Sequence, residues 1–452
     1  MPDPLELKRE EDGVLELVLD AAKAYLQELD DAPVLSSRER RFGGPLPEEG
    51  GGAASALAEL IDGADVATRS SGPRFFHFVT GGTTPAALAA DWLTSLFDQN
   101  AFSAVSSPLG VEVEEVAVRW LRELFELPES WSGVLTTGAT MANFVGLACG
   151  RRWWAQQHGI DVDERGLAGL PAVPIFSTDA LHVSARKALA MLGLGRETAQ
   201  LVDLDGLERG LQEGPAIVIG NLGEVNDGRI DDLRRMADLI ERHHAWLHID
   251  GAFGLFARIT PRTAALTEGV ERADSVISDG HKWLNVPYDC GFAFVRDLEL
   301  LKEPFRLTAA YLPSDETPSP EASRRARALA VWATLAAYGR SGYRAMVERH
   351  LDLAQHLGRR VEDEPDLELL APVTLNIVCF RYRPDGPSED ELNELNARLG
   401  EAVLADGRVF FGTTRYGGRV AFRPAIVNWR TTERDVDLIV DVLLELAAQR
   451  SP

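Results

Sequence analysis

An α/β fold, a mostly parallel sheet covered by helices on both faces, is predicted by three features of this sequence. Short runs that are apolar almost throughout, AIVIGN (216–221), WLHID (246–250), SVISD (275–279) and GFAFV (291–295), read as strands buried on both sides. Amphipathic segments of helical period alternate with such runs along the chain. The chain has 452 residues, 45 % hydrophobic and 26 % charged, enough for two or three folding units around a large core.

In chain order, residues 4–30 set apolar and charged positions at helical spacing and predict an amphipathic helix. RFGGPLPEEGGG (41–52) predicts a linker, and ASALAELI a second short helix. PAALAADWLTSLFDQN and VEVEEVAVRWLRELFEL predict two longer helices. Strand and helix then alternate: PAVPIFST (171–178) precedes the helix ALHVSARKALAML, and AIVIGN precedes the helix DLRRMADLIERHH. After the helix RARALAVWATLAAYG (325–339) comes a different unit. It has a helix over 341–362, the strand LNIVCFRY, a helix near 390–404, the strand RVAFRPAIV and a terminal helix from 433, a mixture that predicts a small α+β domain. The expected division is an N-terminal helical segment (1–75), a large domain (76–340) and a small C-terminal domain (341–452). There are no internal repeats.

The net charge of −24 disfavours nucleic acid and anionic membrane as partners. Three widely spaced cysteines, Cys149, Cys290 and Cys379, form neither a disulfide framework nor a zinc pattern, so no metal is expected and a reducing compartment fits best. The N-terminal MPDPLELKREED lacks the basic and apolar regions of a secretory signal. No run approaches the roughly 18 to 20 apolar residues that span a bilayer. The expected location is the cytoplasm. Without HExxH, CxxC or a strand-linked GxGxxG, a zinc or nucleotide enzyme is disfavoured.

Of 46 cationic side chains only five are lysines. Lys8, Lys23 and Lys302 lie in acidic, polar contexts and read as solvated charges, as Lys187 can beside Arg186. Lys282, in SDGHKW (278–283), follows an apolar strand and stands among apolar neighbours. Arginine stays protonated and is a poor nucleophile, whereas a primary amine can lose its proton and form a Schiff base with a carbonyl. Desolvation favours that neutral amine. The plainer alternative is a lysine left by a lysine-poor composition.

Three further features change the balance. WLHIDGAFG ends a strand on Asp250, where a carboxylate faces the ligand crevice of a parallel sheet. There it can keep a pyridine nitrogen protonated, although Asp before Gly251 is also a common cap or turn. LTTGATMANFVGLACGRRWW (135–154) follows a strand end with small residues and opens a helix, whose free N–H groups and the hydroxyls of Thr137 and Thr140 can hold a phosphate. His182, in DALHVSARKAL, can stack on a cofactor ring, though a lone His is more often structural. Phosphate loop, stacker, Asp and Lys follow one another, each at a strand–helix junction.

Taken together, TTGATMAN, DALHVSARKAL, WLHIDGAFG and SDGHKWLNVPYDCG resemble the group II pyridoxal-phosphate-dependent amino acid decarboxylases, which include aromatic L-amino acid decarboxylase and glutamate decarboxylase. PRFFHFVTGGTTPAALAADWL, SRRARALAVWATLAAYGRSGY and GRVAFRPAIVNWRTTERDVD extend the likeness over roughly residues 70–445. The resemblance implies a fold-type I architecture with a seven-stranded sheet in the large domain, pyridoxal 5'-phosphate as cofactor, and a homodimer with active sites at the subunit interface. By position it implies that Lys282 forms the Schiff base, Asp250 pairs with the pyridinium nitrogen, Ala252 lies under the ring and His182 stacks on it. Gly138, Ala139 and Thr140 would hold the phosphate with His281 nearby. The implied reaction is loss of carbon dioxide from an L-amino acid to give the amine.

Two stretches depart from the family. The family's mobile loop carries a Tyr that reprotonates the carbanion in the aromatic decarboxylases; here AAYLPSDETPSPEASRRARAL (309–329) is shortened and Pro-rich, with Tyr311 its only Tyr. Protonation then falls to His182, Tyr311 or water, and an aldehyde synthase, decarboxylating with oxidative deamination, becomes the alternative. The second departure, GNLGEVNDGRID (220–231), puts Glu224, Asn226 and Asp227 near the cofactor and is read as a solvent-facing turn. Phe75, Phe76, His77 and Phe78 suit an aromatic substrate, and equally core packing. A remote alternative, a non-catalytic α/β binding protein, predicts no visible absorbance and no effect of Lys282→Ala.

Overall fold

The computed structural model describes residues 11–35, 42–307, 309–312 and 317–449. Of the predicted first helix, residues 4–10 lie outside the described residues; the rest is α1 (Glu11–Glu28), followed by α2 (Ala53–Asp62). Thr84 and Ser107 each cap a helix whose first residue is proline, and so start α3 (Pro85–Phe97) and α4 (Pro108–Leu124).

The large unit then alternates as predicted: β1 (Ser132–Thr136), α5 (Ala139–Gln157), α6 (Val162–Arg165), β2 (Ile175–Ser177), α7 (Val183–Met191), β3 (Gln200–Leu201), α8 (Leu204–Leu211), β4 (Ile217–Asn221), α9 (Leu233–His243) and β5 (Trp246–Asp250). β6 (Ser275–Asp279), β7 (Gly291–Val295) and α10 (Leu298–Lys302) complete it. The seven strands form one sheet in the order β1–β7–β6–β5–β4–β2–β3. β7 runs antiparallel to both neighbours and the other pairs are parallel. The reversal has a chain-length reason: β6 and β7 are joined by residues 280–290 alone, too few for the crossover a parallel pair needs. The register aligns Asn221 with Asp250, and Thr136 and Asp279 both with Gly291, so five strand ends share one edge.

α11 (Ala328–Asp363) joins the two predicted helices and breaks between them at Gly339, where φ is 59°. The small unit adds β8 (Leu367–Leu369), β9 (Phe380–Tyr382), α12 (Glu389–Asp406), β10 (Thr413–Tyr416), β11 (Arg419–Phe422) and α13 (Glu433–Ala448), with an antiparallel sheet β10–β11–β9–β8. The predicted strands LNIVCFRY and RVAFRPAIV are regular only in part. Pro424 has no N–H to give, and pairing beyond it continues as single links, Val378 N to Pro424 O and Ile426 N to Asn376 O. Phe76 packs in the core of this small unit, beside Phe380, Phe411 and Phe422. No helix among the described residues is long and apolar enough to cross a membrane.

Candidate active site

At the shared edge the turn from β1 into α5 passes through Gly138 at φ 149°. A Cβ there would stand 3.2 Å from the His281 ring and 3.5 Å from Asp279 Oδ1, so the turn lies directly against the β6 terminus. No side chain caps α5, which leaves backbone N–H groups at Ala139 and Thr140 facing the same edge. From β5, Asp250 is buried; its Oδ2 accepts from Asn143 Nδ2 at 3.0 Å and its Oδ1 from the Ala252 amide at 3.2 Å. The Ala252 carbonyl accepts the Asp279 amide at 2.9 Å, which ties the ends of β5 and β6 together.

Past β6 the chain turns through the lysine. Lys282 Nζ lies 3.2 Å from Asp279 Oδ2, and its side chain is 15 % exposed. His281 Nε2 approaches the same oxygen at 3.5 Å, and its ring stacks on Tyr288 at 4.3 Å. The loop is held from behind. Asn285 Nδ2 donates to the carbonyls of Trp283 and Val427, and Trp283 Nε1 donates to His350, whose other nitrogen meets the Asn428 carbonyl. Gly81 donates to the His281 carbonyl and packs so tightly that a Cβ would fall 1.7 Å from the Lys282 carbonyl oxygen; only glycine allows that approach.

His182 caps α7. Its Nδ1 accepts the Ser184 amide proton at 3.3 Å, so the ring proton sits on Nε2. Burial lowers the His182 pKa; Lys282 and Arg423 lower it further, while Asp250 and Asp279 work against them. Burial likewise lowers His281, and brings His77 down to about 4 with help from Arg423. Arg423 itself is held by the Val225 carbonyl at 3.1 Å, and burial lowers its pKa against the pull of Glu224.

The turns and strand ends at this edge carry Gly138, Ala139, Thr140, His182, Asp250, Ala252, His281 and Lys282. The structure also adds Asn143, Asp279 and Arg423, which the sequence reading did not single out. Asp279 stands three residues before the lysine and Arg423 at a strand end before proline; both positions are signals in hindsight. The turn at 224–227 is not solvent-facing: Glu224 is 8 % and Asp227 4 % exposed. Glu224 accepts from Asn226 and from the Asp227 amide, and Asp227 from Tyr416 OH at 2.8 Å, so the turn ties the two sheets together.

A cofactor with an aldehyde, a ring nitrogen and a phosphate needs an amine, an acid and a row of donors. All three are here, and the Asp279 Oδ1 and His281 Nδ1 atoms beside the Gly138 turn are buried without a hydrogen-bond partner. The residues fit pyridoxal phosphate. Fold and site together fit the class of pyridoxal-phosphate enzymes of fold type I. More particularly, a model of the pyridoxal-dependent decarboxylase conserved domain matches residues 64–383, and the chain belongs to that family. It is similar to an aromatic-L-amino-acid decarboxylase of Bacillus atrophaeus, 30 % identical over 404 residues, covering 84 % of this chain and 82 % of that protein. A phenylacetaldehyde synthase of Arabidopsis thaliana is 24 % identical over 470 residues, covering 96 % and 94 %. Among solved structures, that of Oryza sativa TDC with PLP and tryptamine superposes with a TM-score of 0.90 at 24 % identity, covering 98 % of each chain. The chain is therefore a pyridoxal-phosphate-dependent carboxy-lyase acting on an amino acid.

Proposed function

We propose that the substrate is an aromatic L-amino acid, that the product is its amine, and that Lys282 is where the cofactor attaches. One observation carries the reading: Asp250 ends β5, Asp279 ends the adjacent parallel strand β6, and the Lys282 amine lies 3.2 Å from Asp279 in the turn that follows, so acid and amine share one strand edge. Lys282 would hold the cofactor's aldehyde carbon, Asp250 would face its ring nitrogen, and His182 and Ala252 would flank the ring. Gly138, Ala139 and Thr140, with His281, would hold the phosphate. When bound, pyridoxal phosphate supplies an electron sink for the pair left on the α-carbon as carbon dioxide departs.

The chain's own residues do the rest. Arg423 keeps guanidinium nitrogens beyond its bond to Val225 and offers a cation to the substrate carboxylate. His182 carries its proton on Nε2, the nitrogen not engaged with Ser184, and would hold there by hydrogen bond a water that gives its proton to the α-carbon and leaves as hydroxide to be neutralised by solvent. Tyr311, 86 % exposed, is the second candidate for that step. Phe78, 62 % exposed with its ring 3.6 Å from that of His77, supports an aromatic substrate, as does the Bacillus relative. The same reading takes 76–340 as the cofactor-binding domain and 341–452 as the small domain behind an N-terminal segment 1–75. It places the enzyme in the cytoplasm as a homodimer with active sites at the subunit interface.

Borohydride reduction of the yellow enzyme followed by peptide mapping tests the attachment: label on Lys282 is expected, and label elsewhere overturns it. The relative that makes phenylacetaldehyde and the Tyr-poor 309–329 stretch favour a second reading, an aldehyde synthase. Product analysis across the twenty amino acids separates the two. Amine from Trp, Tyr or Phe supports the first, and aldehyde with ammonia and peroxide supports the second.

A further inference from the structure

We propose that Asn143 is a positioning residue of this site, one buried amide that fixes the orientation of the Asp250 carboxylate and, through the Ser184 hydroxyl, reinforces the His182 tautomer that the Ser184 backbone N–H selects. The inference rests on the roles proposed above for those two residues.

Hydrogen counting carries it. Asn143 sits on α5 with no exposed surface. A carboxylate only accepts, so the group 3.0 Å from Asp250 Oδ2 is the amide nitrogen, and Oδ1 therefore faces His248 Nε2 at 2.8 Å. An amide oxygen only accepts, so His248 donates from Nε2. Burial keeps that ring neutral, and its Nδ1 must then accept, taking the Ser275 hydroxyl proton at 2.8 Å. Ser275 Oγ in turn receives Trp246 Nε1–H at 3.2 Å. Every donor from Trp246 through Ser275, His248 and Asn143 points the same way, and the row ends on Asp250. Such aligned chains strengthen one another in a dry interior.

The second amide hydrogen of Asn143 opens a branch. It goes to Ser184 Oγ at 3.2 Å, which leaves the Ser184 hydroxyl proton for His182 Nδ1 at 2.7 Å. The Ser184 backbone N–H reaches the same nitrogen. His182 is thereby left with its proton on Nε2, the tautomer that can donate.

The helix is cut to fit this row. One turn beyond Asn143 is Gly146, where a Cβ would lie 2.6 Å from the His248 ring and 3.1 Å from Ser275 Oγ. A further turn on is Gly150, where a Cβ would lie 2.9 Å from the Trp246 indole. The face i, i+3, i+7 of α5 thus presents one amide and two gaps to the three side chains of the row.

The test uses the full-length enzyme with 15N-labelled histidine, with and without pyridoxal phosphate labelled at its ring nitrogen, as wild type, Asn143→Ala and Ser184→Ala; His182→Gln and His248→Gln spectra assign the signals. In the cofactor-free wild type both His182 and His248 should show the Nε2–H tautomer, and an Nδ1–H tautomer at either overturns the proposal before any variant is made. Asn143→Ala should still be labelled on Lys282 by borohydride. Its cofactor ring nitrogen should shift toward the unprotonated position, and its affinity for the cofactor should fall on the order of 10- to 100-fold, the usual effect of removing a group that orients a ligand-binding side chain. Ser184→Ala should leave the ring-nitrogen signal in place and move only the His182 signals. Asn143→Ala with unchanged ring-nitrogen and His182 signals overturns the proposal. Label away from Lys282 in the wild type defeats the attachment reading instead, and the cofactor-free histidine spectra decide the relay regardless.

Discussion

An amine works as a nucleophile only when it is within reach of its target, and Lys282 is placed for that. It is half-sheltered, paired with Asp279, and held by a loop with no slack. Lys282→Ala should abolish covalent cofactor attachment and cut turnover by about 10³-fold or more, measured by the visible band and by carbon dioxide release. Asp250→Ala should keep the fold by circular dichroism yet lose about 10²-fold or more in kcat, because Asp250 is the anion proposed to face the ring nitrogen. Arg423→Met should raise KM about tenfold with a smaller change in kcat, and Arg423→Lys should recover part of it. At this scale the sequence revealed residues whose chemistry is local. A lone lysine among arginines and an acid at a strand end are legible one residue at a time. Asn143 and Arg423 are not, because their meaning lies in partners some 40 to 200 positions away.

Among the elements, the best-read strands are those buried on both faces. WLHID, SVISD and GFAFV have the observed bounds of β5, β6 and β7, because nothing but the apolar run decides where such a strand starts and stops. The direction of β7 was not legible, since an apolar run has no arrow; the short lysine loop fixed it. The small domain's strands are shorter than their apolar runs predict, because Pro424 interrupts the ladder. α5 shows how a helix can be specified by what it lacks. Gly146→Ala should destabilise the protein by about 1–3 kcal/mol, since the new methyl group meets the His248 ring, and a shift in the urea midpoint checks this.

For the molecule as a whole, the buried histidines link stability to pH. Burial brings His248 down to about 4 and His350 to about 3, against about 6.5 in the unfolded chain. A folded pKa below the unfolded one means the unfolded chain binds protons first. The stability these rings contribute is therefore full above pH about 6.5 and is lost as pH falls toward 4, by up to about 3 kcal/mol for one fully buried ring. Asp274, pushed up to about 6 by burial, acts in the opposite sense: its ionisation costs stability as pH rises from about 4 to 6. Urea unfolding at pH 7.5 and pH 4.5 should show the lower midpoint in acid, and His350→Phe should narrow the gap.

The scarcity of primary amines has a practical side. Lys23, Lys187 and Lys302 stand on the surface, while Lys282 is tucked beneath the β6 terminus. Acylating reagents or an aldehyde-coated bead would meet those three before Lys282, so the protein can be dyed or immobilised through its outer handles with the sheltered amine spared.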